Sequence, residues 1–256
     1  MTSPVAAVRS LAVMIPLLGW LMLGGLYQRV VLYPAVFLWP RRRPALTSPF
    51  FRAMCRGITA LLRLGGARLR RCGVVPTDGP VLVLMNHQSV LDIVTVGLMS
   101  DPYVPLFVTR KRYAYGLPCI SPHLRLMGCP VIDPDDWRRA LTVFREAGRA
   151  LHHGLLVFPE GHRTKDGTIG PFKTAGLLAV LRERRLPVYL LVTDGFCATR
   201  RFVDFLFGVG EIRGETEVLG PFSPPAEADA LPAFLAALRE TMVGHLGVMR
   251  GRHAAA

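Results

Sequence analysis

Val81-Leu-Val-Leu-Met-Asn-His-Gln-Ser-Val-Leu-Asp92 is an apolar run that breaks at Asn86-His87-Gln88-Ser89 and resumes through Val90, Leu91, Ile93 and Val94. Five consecutive Val, Leu and Met residues predict a buried strand. The polar break before a renewed apolar run predicts a tight turn and a helix start. His87 then lies at the carboxyl end of a sheet strand, where open α/β folds bind their ligands.

Residues five apart on one helix stand about 140° round the axis and do not face each other. His87 and Asp92 therefore meet only if His87 precedes the helix, with Ser89 as N-cap and Asp92 at N3 reaching back to the imidazole. A carboxylate on one ring nitrogen sets the tautomer and leaves the other nitrogen as a base. A base without a protein nucleophile suits activation of a substrate hydroxyl. The bland alternative is that Ser89-x-x-Asp92 is a capping-box variant and His87 an ordinary turn residue.

With 256 residues, the chain is long enough for one α/β domain and an appendage. An apolar content of 51% combined with a formal charge of +13 points to a membrane surface or an anionic substrate. The basic excess is nearly all Arg, because Lys occurs only at 111, 165 and 173. Charge alone would allow nucleic acid as a partner, but no Cys/His finger, basic zipper or aromatic RNA-binding signature supports it. The cysteines at 55, 72, 119, 129 and 197 have no ligand spacing, so neither a disulfide framework nor a structural metal is expected.

Leu11 to Tyr27 carries no charge. Seventeen helical residues reach about 25 Å, slightly short of a ~30 Å hydrocarbon core, which fits either an oblique span or a re-entrant dip. Gln28-Arg29 interrupts this run, and the apolar stretch from Val30 to Trp39 is too short to cross. With no small-x-small cleavage site before Gln28, a retained anchor is favoured over a signal peptide. Arg29, Arg41, Arg42, Arg43, Arg52 and Arg56 outweigh Arg9, which puts the main domain on the cytoplasmic side of the inner membrane. Residues 1–44 read as the anchor, 45–250 as the domain and 251–256 as a disordered tail.

Along the domain, strands are expected at Val104–Thr109, Gly128–Asp133, Leu155–Phe158 and Glu215–Leu219. Helices are expected over Val90–Ser100, from Asp135/Asp136 with an apolar face of Trp137, Leu141, Phe144, Ala147 and Leu151, after Thr174 as N-cap, and over Ala226–Leu246. His152 and His153 fall in the last turn of the helix that starts at Asp135/Asp136, as dipole partners rather than metal ligands. Arg110-Lys111-Arg112 reads first as a solvated strand end.

Phe158-Pro159-Glu160-Gly161-His162-Arg163 breaks its strand just as His87 breaks the strand before it, so the two polar turns converge on one crevice. Arg163 offers a planar cation fork, Glu160 a carboxylate to orient it and Lys165 a flexible charge, a set suited to phosphate. The Gly-rich loop that follows leads through Lys173 to a helix start. It lacks the G-K-[ST] ending of a P-loop, which excludes nucleotide hydrolysis.

These two stretches together resemble the signature motifs of the lysophosphatidic acid acyltransferase family of glycerolipid acyltransferases, over roughly residues 75 to 195. The resemblance implies an α/β fold with a mostly parallel central sheet flanked by helices, preceded by the apolar N-terminal segment. It implies His87 as base, Asp92 as its partner, and Glu160, Gly161 and Arg163 at the acceptor phosphate, with Lys173, Asn86 and Ser89 as further substrate-binding residues. Phe172-Lys173 matches the family's Phe-Lys pair. His162 stands where Thr is usual, Leu190 where a second Pro is usual, and Pro134 where an Arg commonly grips the acceptor. The implied reaction moves an acyl group from acyl-CoA or acyl-carrier protein to 1-acylglycerol 3-phosphate, giving phosphatidic acid, without cofactor or metal. Two other readings stay open: the same chemistry on another acceptor, such as a lyso-aminolipid, and a non-catalytic lipid-binding module.

Overall fold

The computed structural model of the chain describes residues 4–117, 119–199, 204 and 208–254. In chain order its helices are α1 (Pro4–Tyr27), α2 (Tyr33–Leu38), α3 (Arg43–Leu64), α4 (Leu91–Leu98), α5 (Lys111–Ala114), α6 (Ile120–Met127), α7 (Trp137–Arg149), α8 (Thr174–Glu183) and α9 (Leu231–Ala254). Its strands are β1 (Arg68–Cys72), β2 (Val75–Pro76), β3 (Val81–Met85), β4 (Ser100–Asp101), β5 (Leu106–Phe107), β6 (Thr109–Arg110), β7 (Val131–Ile132), β8 (Gly154–Val157), β9 (Val188–Asp194) and β10 (Arg213–Phe222).

Six strands form the central sheet in the order β1-β10-β9-β3-β8-β5, parallel except between β9 and β10. The fold is thus the α/β architecture with a mostly parallel sheet that the sequence implies. β3, β8 and most of β9 are buried on both faces, which is why they are unbroken Val/Leu runs rather than alternating ones. The period of two still sorts them. Leu82, Leu84, Leu155, Val157, Leu190 and Val192 pack with α8 and α9. Val81, Val83, Met85, Leu156 and Leu191 face the opposite side, with Val96 of α4 and Leu124 and Met127 of α6.

Several elements depart from the sequence expectation. The Val104–Thr109 strand splits at Val108 into β5, which joins the main sheet, and β6, which pairs with β7 in a small separate sheet. The strand expected over Gly128–Asp133 shrinks to β7 because Gly128 adopts φ +77° as the C-cap of α6. β1 and the β2–β4 pair were not anticipated: Arg68, Arg70 and Arg71 disguise a sheet-edge strand as linker, although charge is a common way to protect such an edge. Trp137 overhangs the end of α7 instead of joining its buried face, and the Arg138 guanidinium lies 5.4 Å from its ring centre. α7 ends at Arg149, so His152 and His153 lie beyond it, and His153 is buried. The last helix runs to Ala254 rather than ending near Leu246, so residues 251–254 of the expected tail are helical. Residues 255–256 lie outside the described residues.

Gln28-Arg29 does not interrupt the N-terminal helix. The chain passes through one π turn, Gln28–Leu32, straight into α2. The π turn rotates Gln28 inward, where it is fully buried and donates to the Cys119 carbonyl at 3.0 Å. Ser10–Leu38 is a 29-residue helical run containing an 18-residue window of mean hydropathy 1.7, long and apolar enough to cross a membrane. It is not a detached appendage: Val13, Met14 and Leu17 pack with Leu62, Leu91 and Phe196, while Leu32 and Val36 meet Leu126.

His123 of α6 is buried against Phe50 and Phe51, with no hydrogen bond to either ring nitrogen among the described residues, and burial pushes it down to about 3. Between that value and its ordinary 6.5 the unfolded chain binds the proton and the folded one does not. The stabilisation is therefore present above pH 6.5 and is lost as pH falls below it. His123→Phe should lessen the loss of unfolding free energy between pH 7 and pH 5 by about 2 kcal/mol, measured by denaturant titration at each pH.

Candidate active site

β3 and β8 are adjacent and parallel, with Val81 opposite Gly154 and Leu84 opposite Val157, so both end at the same edge. The turn Asn86–Ser89 and the turn Phe158–Arg163 leave the sheet side by side. Asn86 prolongs the sheet with its side chain: its amide donates to the Thr193 carbonyl at 2.9 Å and accepts from the Thr193 N–H at 2.8 Å. The chain then bends, and His87 is the first residue free of the ladder.

His87 Nδ1 lies 2.7 Å from Asp92 Oδ2. The same oxygen accepts the Gln88 N–H at 2.7 Å and the Ser89 N–H at 2.8 Å. Asp92, on the first turn of α4, is fully buried, and it holds both the turn and the ring. Ser89 differs from the expected N-cap. Val90 occupies that position, and the Ser89 hydroxyl donates to the Thr199 carbonyl at 2.5 Å while accepting weakly from Leu91 N–H at 3.3 Å. Phe158 stacks on His87 with ring centres 3.9 Å apart and planes 20° apart. With Nδ1 committed to the carboxylate and one face covered, Nε2 has no hydrogen-bond partner among the described residues. The side chain keeps 17% of its surface exposed, enough to meet a substrate at the crevice.

Glu160 ties the two turns together. It is buried, with Oε1 accepting from the His87 N–H at 3.0 Å and Oε2 from the Gly170 N–H at 3.1 Å. Thr164 N–H donates to the His87 carbonyl at 2.7 Å, closing the connection from the other side. Gly161 sits at φ +73°, and a Cβ there would lie 3.1–3.3 Å from the outer atoms of Lys173, so the glycine serves both the backbone and the lysine above it. Lys173 is exposed and anchored by its N–H to the Pro159 carbonyl at 2.8 Å. Lys173 is also the residue before α8, so Thr174 is that helix's first residue rather than its cap. Arg163 is half-buried on the same turn.

Sequence reasoning underrated Arg110. Its guanidinium donates to the Gly161 carbonyl, bringing β6 to the crevice. Its place at a strand's carboxyl end was the available signal, masked by neighbours Lys111 and Arg112, which are exposed. Asn86 and Ser89 are buried and committed to the scaffold. Asp166 organises the loop that follows the second turn: the Thr168 hydroxyl, then its N–H and the Thr164 hydroxyl, hold its carboxyl down to about 2.

A family model described as Acyltransferase matches residues 68–192, the stretch that carries both turns. A chloroplast 1-acyl-sn-glycerol-3-phosphate acyltransferase from Brassica napus is 31% identical over 121 residues, covering 46% of this chain and 34% of that protein. The alpha form from Mus musculus is 29% identical over 188 residues, covering 67% of this chain and 63% of that protein. This chain thus spans about a third of the plant relative and less than two thirds of the mammalian one. The crystal structure of the 1-acyl-sn-glycerophosphate acyltransferase from Thermotoga maritima superposes with a TM-score of 0.63 over 93% of this chain and 98% of that one. At 16% identity that likeness is one of fold.

Glu160→Gln puts an amide NH₂ against one of two N–H donors that now share the carboxylate. The variant should lose about 1–3 kcal/mol of unfolding free energy in a denaturant titration, and an isosteric change without loss would refute the tie between the turns.

Proposed function

We propose direct acyl transfer from one premise: the chain belongs to the acyltransferase family, and its curated relatives are 1-acyl-sn-glycerol-3-phosphate acyltransferases. The observation that carries the proposal is the His87–Asp92 contact of 2.7 Å, with Nε2 beside the Glu160–Arg163 turn and without a partner among the described residues. His87 Nε2 takes the proton of the acceptor hydroxyl, and Asp92 stabilises the imidazolium that forms. The acceptor oxygen attacks the thioester carbonyl of acyl-CoA or acyl-carrier protein. As the tetrahedral intermediate collapses, the C–S bond breaks and the proton passes from His87 to the leaving thiolate. The product of 1-acylglycerol 3-phosphate is phosphatidic acid.

Arg163 and Lys173, flanking Gly161, are the cations we assign to the acceptor phosphate, with Arg110 beside them through the Gly161 carbonyl. Glu160 serves the phosphate site by holding its backbone. Pro134, where the family commonly has Arg, favours a second reading: the same reaction on a lysolipid whose headgroup needs fewer cations.

The bilayer is the source of the acceptor. Ile15, Met22, Leu23, Val30, Phe37 and Leu38 each stand more than half exposed along the N-terminal helix, an apolar band that suits lipid rather than water. Arg29, Arg41 and Arg42 beside it suit anionic headgroups on the cytoplasmic side of the inner membrane.

Purified protein in detergent, given labelled acyl-CoA and a panel of lysolipids, tests the reaction by product mass. His87→Ala should abolish transfer while thermal unfolding stays near wild type, and Asp92→Asn should lower kcat by about 10⁴-fold through the wrong tautomer. Near-normal turnover by folded His87→Ala would end the base assignment. Arg163→Ala should cut acceptor efficiency roughly ten- to a hundredfold, with little rescue by Arg163→Lys. A wild type that prefers an uncharged lysolipid would overturn the phosphate assignment alone.

Apolar burial survives salt, whereas attraction between arginines and headgroups is screened. The chain should therefore stay with membranes through a high-salt wash. Release by salt alone would contradict the anchor.

A further inference from the structure

We propose, building on the acyl-transfer reading, that Arg239 and Arg250 on α9 are positioning residues that brace the loop 164–173 against the turn carrying His87. Eleven residues separate them, about three helical turns, so they project from one face of α9. Arg239 donates from Nε to the Gly170 carbonyl at 2.9 Å and from Nη2 to the Ile169 carbonyl at 3.1 Å. Arg250 donates from Nη2 to the Gly167 carbonyl at 2.8 Å. Gly170 is the residue whose N–H binds Glu160, and Lys173 follows three residues later, so the brace acts on the segment that leads to the acceptor cation.

Arg250 also reaches the catalytic turn through two side chains. It grips Asp194 as a fork, Nε to Oδ2 at 3.1 Å and Nη2 to Oδ1 at 3.0 Å. Asp194 Oδ1 accepts from Gln88 Nε2 at 3.1 Å, and Gln88 is the buried neighbour of His87. Gln88 is pinned further by the Phe196 N–H on its Oε1 at 3.0 Å, and it contacts the Gly167 carbonyl at 3.4 Å. Burial pushes the Asp194 carboxyl up, but Arg250 and then Gln88 outweigh it and bring it below its ordinary value, consistent with a charged fork. The packing is close: a Cβ on Gly167, which sits at φ +82°, would lie 2.6 Å from Arg250 Nη2. Asp194, Arg239 and Arg250 all lie outside the matched residues 68–192.

The test uses the full-length protein in detergent and compares Arg239→Ala, Arg250→Ala and the corresponding Lys variants with wild type. Acceptor and donor are varied separately, and deuterium uptake is followed across 164–173. Each Ala variant should raise the acceptor KM by about tenfold and leave the donor KM within roughly twofold, because the loop leads to the acceptor cation. Uptake in 164–173 should accelerate while β10 keeps its protection. Lys keeps the charge but not the fork, so the Lys variants should recover thermal stability without recovering acceptor KM. If an Ala variant fails to fold, its Lys counterpart carries the test. Wild-type acceptor KM together with wild-type uptake in folded variants would overturn the brace, as would equal shifts in both KM values. Absence of transfer by the wild-type protein would instead sink the acyl-transfer reading, and the uptake measurement would still decide whether the brace exists.

Discussion

A carboxylate taken out of water needs donors, and two buried carboxylates organise this crevice, although Asp92 Oδ1 has no hydrogen-bond partner among the described residues. Asp92 gathers the His87 ring and two backbone N–H groups onto one oxygen. Glu160 gathers the His87 N–H and the Gly170 N–H onto its two oxygens. Satisfying both at once forces the chain after β3 into one shape and holds the turn after β8 against it. The positions of the His87 ring, Asp92 and the cation-bearing turn thus follow from these hydrogen bonds.

Parallel pairing makes this possible. Because β3 and β8 run side by side in the same direction, residues 73 apart in sequence, His87 and Glu160, meet at one edge. An antiparallel arrangement would send the two turns to opposite ends of the sheet. β9 contributes from the other side of β3, where Thr193 receives Asn86 and Asp194 receives Gln88.

Helices from both ends of the chain close on this edge. The N-terminal helix packs Val13, Met14 and Leu17 against Leu91, the first residue of α4, and Phe196, just beyond β9, so the apolar band outside the domain is rigidly related to the crevice. The π turn at Gln28 is the local adjustment that lets a polar side chain enter this packing without breaking the helix. α9 covers the opposite face with Leu235, Leu238, Met242 and Leu246 and places its arginines over the loop at the rim.

Local order was legible in the sequence where one pattern had one physical cause. The unbroken apolar runs of β3 and β8 call for burial on two faces, which a parallel sheet under helices supplies. The polar break at His87, with an acid five residues on, allowed the two to meet only if the histidine preceded the helix, and this is how they sit. Elements whose residues serve a tertiary purpose were not legible. β1 is a strand because β10 pairs with it, despite its arginines; Gln28 is turned inward, where the Cys119 carbonyl accepts its amide; and residues 251–254 are helical in a turn held by the Arg252–Glu217 and Arg250–Asp194 ion pairs. The same holds at the crevice. Sequence named His87, Asp92, Glu160 and Arg163 from spacing and residue type and Gly161 through the family resemblance, but which donors Glu160 would satisfy, and that Arg110, Arg239 and Arg250 would reach in from distant elements, depended on directions in space that only the folded chain creates.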